Sequence, residues 1–247
     1  MRIDALSDRL TPGKPWGLAA TFGLSVIIWY TLELLQASMG ASMGHVLLRL
    51  RLARPAESTQ GMSFAVISCV SAVLCGALVI AAARLRDGMD ARSYLGLGPV
   101  AGKELARWLI ATLVIVVQTD LVLYLVKGEL LPAEWVAIYR SAQSPTLFWL
   151  ALVVATPVFE ELLFRGFVFA GIHASRLGAV GAVGITALVW TMAHGQSDPL
   201  EFAVIFIIGL ALGIARLRTG SILVTMAMHM LVNLISIVEM AWLVSQE

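Results

Sequence analysis

Two acids and a guanidinium, Glu160, Glu161 and Arg165, stand inside an apolar stretch over residues 146–171 that is long enough to cross a bilayer. A charged side chain near the middle of a membrane helix costs roughly 2.5–3.5 kcal/mol, so three uncompensated ones would approach about 9 kcal/mol. Such residues need partners, water or a function. On a helix, Glu161 and Arg165 are i and i+4 in the favourable order of acid before base, so they can pair. Glu160 points about 100° away from Glu161 and is left over as a candidate general base. Taken alone, the same pattern also fits a helix-to-helix clamp, with Glu160 satisfied by a neighbouring helix.

Two later apolar stretches carry histidine at helical spacing. Trp190 and His194 are i and i+4, and so are His229 and Asn233, each pair on one helix face. At about 1.5 Å per residue, Glu160, His229 and His194 lie roughly 17, 14 and 24 Å from the end of the bundle that carries the N-terminus. Those depths are close enough to converge. A carboxylate with imidazoles could activate water, and Asn and His donors could stabilise a developing negative charge. Glu160, His194 and His229 could instead supply a three-ligand zinc site with an open position, although no His-Glu-x-x-His is present. Intramembrane Glu, His and Arg also suit a transporter or proton relay, although neither an internal repeat nor a pair of broken helices is evident. A non-catalytic membrane scaffold is a further alternative. His45 and His173 fall at helix ends, outside the set, and the role of Asp120 stays open. Met226, Met228, Met230 and Met240 read as core filler.

The elements that must position these residues follow from composition. Of 247 residues, 59% are hydrophobic and 13% charged, and the mean hydropathy is +0.88. Only helices or closed barrels satisfy their backbone in lipid, and the apolar runs do not alternate with period two as barrel strands do. The expected class is therefore all-α, a polytopic membrane helix bundle with an intramembrane site. A net charge of +1 without a basic stripe gives no sign of a nucleic-acid partner. Cys69 and Cys75, six positions apart in one apolar stretch, read as packing residues rather than a disulfide or metal pair.

Residues 1–15 read as a polar, cytoplasmic tail with a Pro12-Gly13 turn, ahead of an uncleaved first helix. Spans are expected near 16–36, 61–83, 107–126, 146–171, 178–194, 199–215 and 220–244. That makes seven, or eight if residues 16–48 cross twice. The domain division is then the tail 1–15, N-terminal membrane helices 16–145 and a core 146–244. With seven spans, eleven Lys and Arg fall on the N-terminal side and five on the other, which puts the N-terminus in the cytoplasm by the positive-inside rule. With eight, the count is eight against eight and gives no answer. Gly178, Gly181 and Gly184, and the Gly209/Gly213 pair, read as close-packing faces.

Glu-Glu-x-x-x-Arg at 160–165, an aromatic four before His at 190–194 and His-x-x-x-Asn at 229–233 together resemble the motif set of a known family. It is the CAAX-protease and bacteriocin-processing (CPBP or ABI) family of glutamic intramembrane endopeptidases. The resemblance covers about 146–235, with Trp190 where the family usually has Phe. It implies peptide-bond hydrolysis within a membrane, the bacterial inner membrane, without a covalent intermediate or a cofactor. Glu160 and His194 would hold and activate a water, His229 and Asn233 would stabilise the oxyanion, and Glu161 and Arg165 would support the site. The implied partner is a membrane-anchored peptide, whether prenylated, sorting-tagged or a precursor.

Overall fold

The computed structural model describes residues 13–51, 59–195 and 197–246, and among them all regular structure is helical. The helices are α1 (Leu18–Arg49), α2 (Gln60–Arg84), the short α3 (Ala91–Leu95), α4 (Gly102–Lys127), the short α5 (Ala133–Arg140), α6 (Pro145–His173), α7 (Gly178–Ala193), α8 (Pro199–Thr219) and α9 (Ile222–Ser245). Among the described residues six helices, α1, α2, α4, α6, α8 and α9, are long and apolar enough to cross a membrane, and α7 is a shorter apolar helix. The chain is an integral, multi-pass membrane protein. Each expected span overlaps one of these helices, and the first, expected near 16–36, runs on as one continuous helix over Leu18–Arg49. The expected tail lies outside the described residues as far as residue 12, and so do Pro12 of the expected turn and Arg54 of the first loop.

The helix ends are set by local chemistry. The Asp198 side chain accepts from the backbone N–H groups of Leu200 and Glu201, and Pro199 opens α8, where a missing N–H costs nothing. Gly220, at φ 67°, ends α8, and the Ser221 hydroxyl then accepts from Leu223 N to start α9. The result is a tight hairpin between the two.

The middle of the bundle is α6, in which every residue from 161 to 172 is buried. Tyr94 of α3 stacks on Phe167 at 5.4 Å, and Trp29 of α1 meets Phe164 at 5.9 Å. The α8 glycines let α7 approach closely. A Cβ at Gly209 would lie 3.1 Å from the Trp190 ring and 3.3 Å from Ala187 Cα, and one at Gly213 would lie 3.1 Å from Val183. Gly178 and Gly184 differ: a Cβ at either would meet nothing within 4 Å, so neither marks a close approach.

Backbone ties group the loops at two ends. At one end Gly13 N donates to Gly88 O and Arg86 Nε to Lys14 O, while Ile222 N donates to Gly96 O and Ser221 Oγ to Gly98 O. At the other, Gly61 N donates to Ser141 Oγ, and Lys127 pairs with Asp198 and Glu201.

Candidate active site

The helix bearing the acids is not a plain α-helix. It is α over Pro145–Trp149, π over Leu150–Ala155, α over Thr156–Glu160, π over Glu161–Val168 and α again over Phe169–His173. Such π segments inside α-helices concentrate at functional sites. Pro157 explains part of the first one. Thr156 N donates to Ala151 O, five residues back; in the same pattern residue 157 would donate to Leu152 O, but proline has no N–H. Asn233 of α9 supplies the missing donor, its Nδ2 lying 2.7 Å from Leu152 O. The proline therefore frees a carbonyl, and that carbonyl anchors the asparagine.

The second π segment carries the charged pair. Glu161 and Arg165 are both fully buried, with Arg165 Nη1 3.1 Å from Glu161 Oε1. The same Glu161 oxygen lies 3.1 Å from His229 Nδ1. Arg165 Nη2 donates to Gly209 O at 3.3 Å, and its guanidinium stands 4.6 Å over the Trp190 ring. From the other side, Arg216 Nε donates to Arg165 O at 2.9 Å. Each member of the buried pair has at least one partner on a neighbouring helix, His229 for Glu161 and the Gly209 carbonyl for Arg165, which offsets part of the cost of burial.

Glu160 has different company. Its Oε2 accepts from Trp190 Nε1 at 2.5 Å and lies 4.0 Å from His229 Nε2. A cavity of about 430 Å³ has Glu160, Trp190, His194, His229 and Asn233 in its wall, whereas Glu161 and Arg165 lie behind it. Adjacent carboxylates thus face opposite ways, one toward the packed core and one toward open space.

His194 caps α7, and its Nδ1 lies 2.8 Å from Trp190 O. A carbonyl only accepts, so Nδ1 carries the proton and Nε2 is left for another partner. The imidazole sits edge-on to the Trp190 ring at 4.4 Å, and that ring is also perpendicular to His229 at 5.3 Å. His45 and His173 are both exposed and away from this set. Asp120 of α4 does line the cavity, which extends to Lys127 and Trp135 at the end of the bundle away from the N-terminus.

The sequence-derived residues therefore meet, as cavity wall or as its buried support. Three groups were missed: the Trp190 indole as a donor to Glu160, and the carbonyls of Leu152 and Gly209. Pro157, three residues before Glu160, was a signal for the first carbonyl. Nothing in the sequence marks the second, since any residue has a carbonyl. Among the described residues, no three His, Cys, Asp or Glu side chains gather as ligands for one metal ion.

Residues 142–235 match a family model described as type II CAAX prenyl endopeptidase Rce1-like. Over 134 residues the chain is 32% identical to an uncharacterized 24.3 kDa protein of Escherichia coli, covering 50% of this chain and 58% of that protein. The chain thus spans somewhat over half the length of this curated relative. No solved structure gives a significant match. The site residues from Leu152 to Asn233 all fall inside the matched segment, and over residues 142–235 the chain is a match to the Rce1-like family of type II CAAX prenyl endopeptidases.

Proposed function

We propose that this protein is an intramembrane endopeptidase of the glutamic type, hydrolysing a peptide bond in a membrane-anchored substrate with water activated at Glu160. The observation that supports this most is the division of labour between the adjacent acids. Glu161 is closed off by Arg165 and His229, while Glu160 faces the cavity near His229, with His194 in the same wall.

In this reading Glu160 and the free Nε2 of His194 hold the water. Its oxygen attacks the scissile carbonyl carbon as Glu160 takes a proton, and the carbonyl electron pair moves onto oxygen. The oxyanion then meets donors from α9: the second amide N–H of Asn233, and Nε2 of His229 when protonated. Donors so placed in a dry site are worth on the order of 3 kcal/mol each. The proton on Glu160 passes to the leaving nitrogen as the C–N bond breaks, giving a carboxylic acid, which ionises in water, and an amine. These steps draw on side chains and water alone, with no cofactor.

Residues 146–244 form the catalytic core in this proposal, and 16–145 supply helices that wall it. The substrate is a prenylated, sorting-tagged or precursor peptide held in the bilayer, since a site inside the bundle favours a partner already in the membrane. The Lys and Arg distribution, eleven against five, supports a cytoplasmic N-terminus in a bacterial inner membrane.

The test is cleavage of a panel of membrane-anchored peptides in liposomes by wild type, Glu160→Ala and His194→Ala, with and without a chelator. Cleavage that survives chelation and is lost in both variants supports the proposal. Loss on chelation supports a zinc enzyme instead, and full activity in Glu160→Ala removes the glutamic mechanism.

A further inference from the structure

The geometry points to Trp190 as a positioning residue for Glu160, acting through its indole N–H. This inference rests on the role proposed for Glu160. A free carboxylate on a helix turns about its terminal torsions, and a general base must instead hold one oxygen toward the water. Trp190 Nε1 lies 2.5 Å from Glu160 Oε2, and indole nitrogen is a donor only. The bond therefore fixes which carboxylate oxygen is occupied and leaves Oε1 for proton transfer.

The indole is itself held from several sides. The Arg165 guanidinium covers its face at 4.6 Å, and His194 and His229 meet the ring at 4.4 and 5.3 Å. Gly209 on α8 leaves room for it, since a Cβ there would stand 3.1 Å from Cε3. Trp190 is only 3% exposed, so little of the ring is open to solvent. Its carbonyl also takes Nδ1 of His194, so one residue orients both groups proposed to hold the water. A phenylalanine would keep the ring contacts and this carbonyl but would leave the Glu160 carboxylate without its donor.

Trp190→Phe is the direct test, because it removes the N–H and keeps an aromatic ring under Arg165. Steady-state kinetics on a cleaved membrane-anchored peptide should show kcat reduced about ten- to a hundredfold, as expected for a misplaced reacting group, with KM changed less than about twofold. Thermal unfolding in detergent should stay near wild type, and Trp190→Leu serves as the packing-loss control, lowering both. Unchanged kcat in Trp190→Phe, with Glu160→Ala inactive, overturns the positioning role and leaves the glutamic reading intact. An active Glu160→Ala removes both. A Trp190→Phe whose loss appears in KM, or only in stability, also overturns it.

Discussion

Glu161 of α6 and His229 of α9 are joined at 3.1 Å through the same carboxylate oxygen that pairs with Arg165. One buried acid thus anchors a cation on its own helix and an imidazole on another. Its neighbour Glu160 is left free of that duty and faces the cavity.

Glu161→Ala should destabilise strongly, because it leaves the fully buried Arg165 without its counter-charge. Removing one member of such a pair costs about 3–5 kcal/mol. Glu160→Gln keeps the size and an acceptor for Trp190, so its stability should lie within about 1 kcal/mol of wild type. Unfolding of both variants in detergent checks this; equal stability would show that the two acids do not divide structure from cavity as their contacts indicate.

Asn233→Ala should cost activity and stability together. It removes a proposed oxyanion donor, worth roughly 10²–10³ in kcat, and it leaves the Leu152 carbonyl unpaired at about 1–3 kcal/mol. Pro157→Ala restores a backbone N–H at the position from which the Leu152 carbonyl lacks a donor. In that background Asn233→Ala should lose less stability while losing as much activity. A double-mutant cycle that shows simple additivity in stability would count against the link between Pro157 and Asn233.

Burial pushes the Tyr94 phenol up to about 12 from an ordinary 10.0. The sign follows from linkage: a pKa raised in the folded state gives a contribution fully present below the unfolded value and lost as pH rises through the folded one. Tyr94 should therefore weaken the fold between about pH 10 and 12, and Tyr94→Phe should flatten the stability profile in that window. A profile with the same slope in both proteins would mean that other groups carry the alkaline loss.

The loop ends should label from opposite faces. With Cys69 and Cys75 replaced by alanine, Glu129→Cys should react with a membrane-impermeant maleimide added to intact cells, and Arg84→Cys only after lysis. The reverse pattern would invert the orientation and turn the cavity, which extends toward Lys127, to the cytoplasmic face.

Much of the fold was legible in the sequence, for a simple reason. Lipid allows few structures, so apolar stretches of spanning length in this chain are helices, and their ends fall close to where the polarity changes. The candidate site residues stood out for the same reason, since Glu160, Glu161, Arg165, His194, His229 and Asn233 are polar where polarity is costly, at spacings that put Glu161 with Arg165 and His229 with Asn233 on one helix face. The short helices α3 and α5 were not foreseen, because they lie in polar connections that lack a long apolar period.

Periodicity along one helix says nothing about which neighbour a face will meet. That Glu161 reaches His229, that Trp190 donates to Glu160 and that Gly209 offers its carbonyl to Arg165 depend on how α6, α7, α8 and α9 pack, which only the tertiary structure decided. The π segments of α6 belong to the same class: Pro157 announces a missing donor, but the asparagine that answers it lies on another helix, 81 residues away. The chain alone determined which groups had to be satisfied inside the membrane. The packing determined which of them satisfy one another, and so which carboxylate is left to face the cavity.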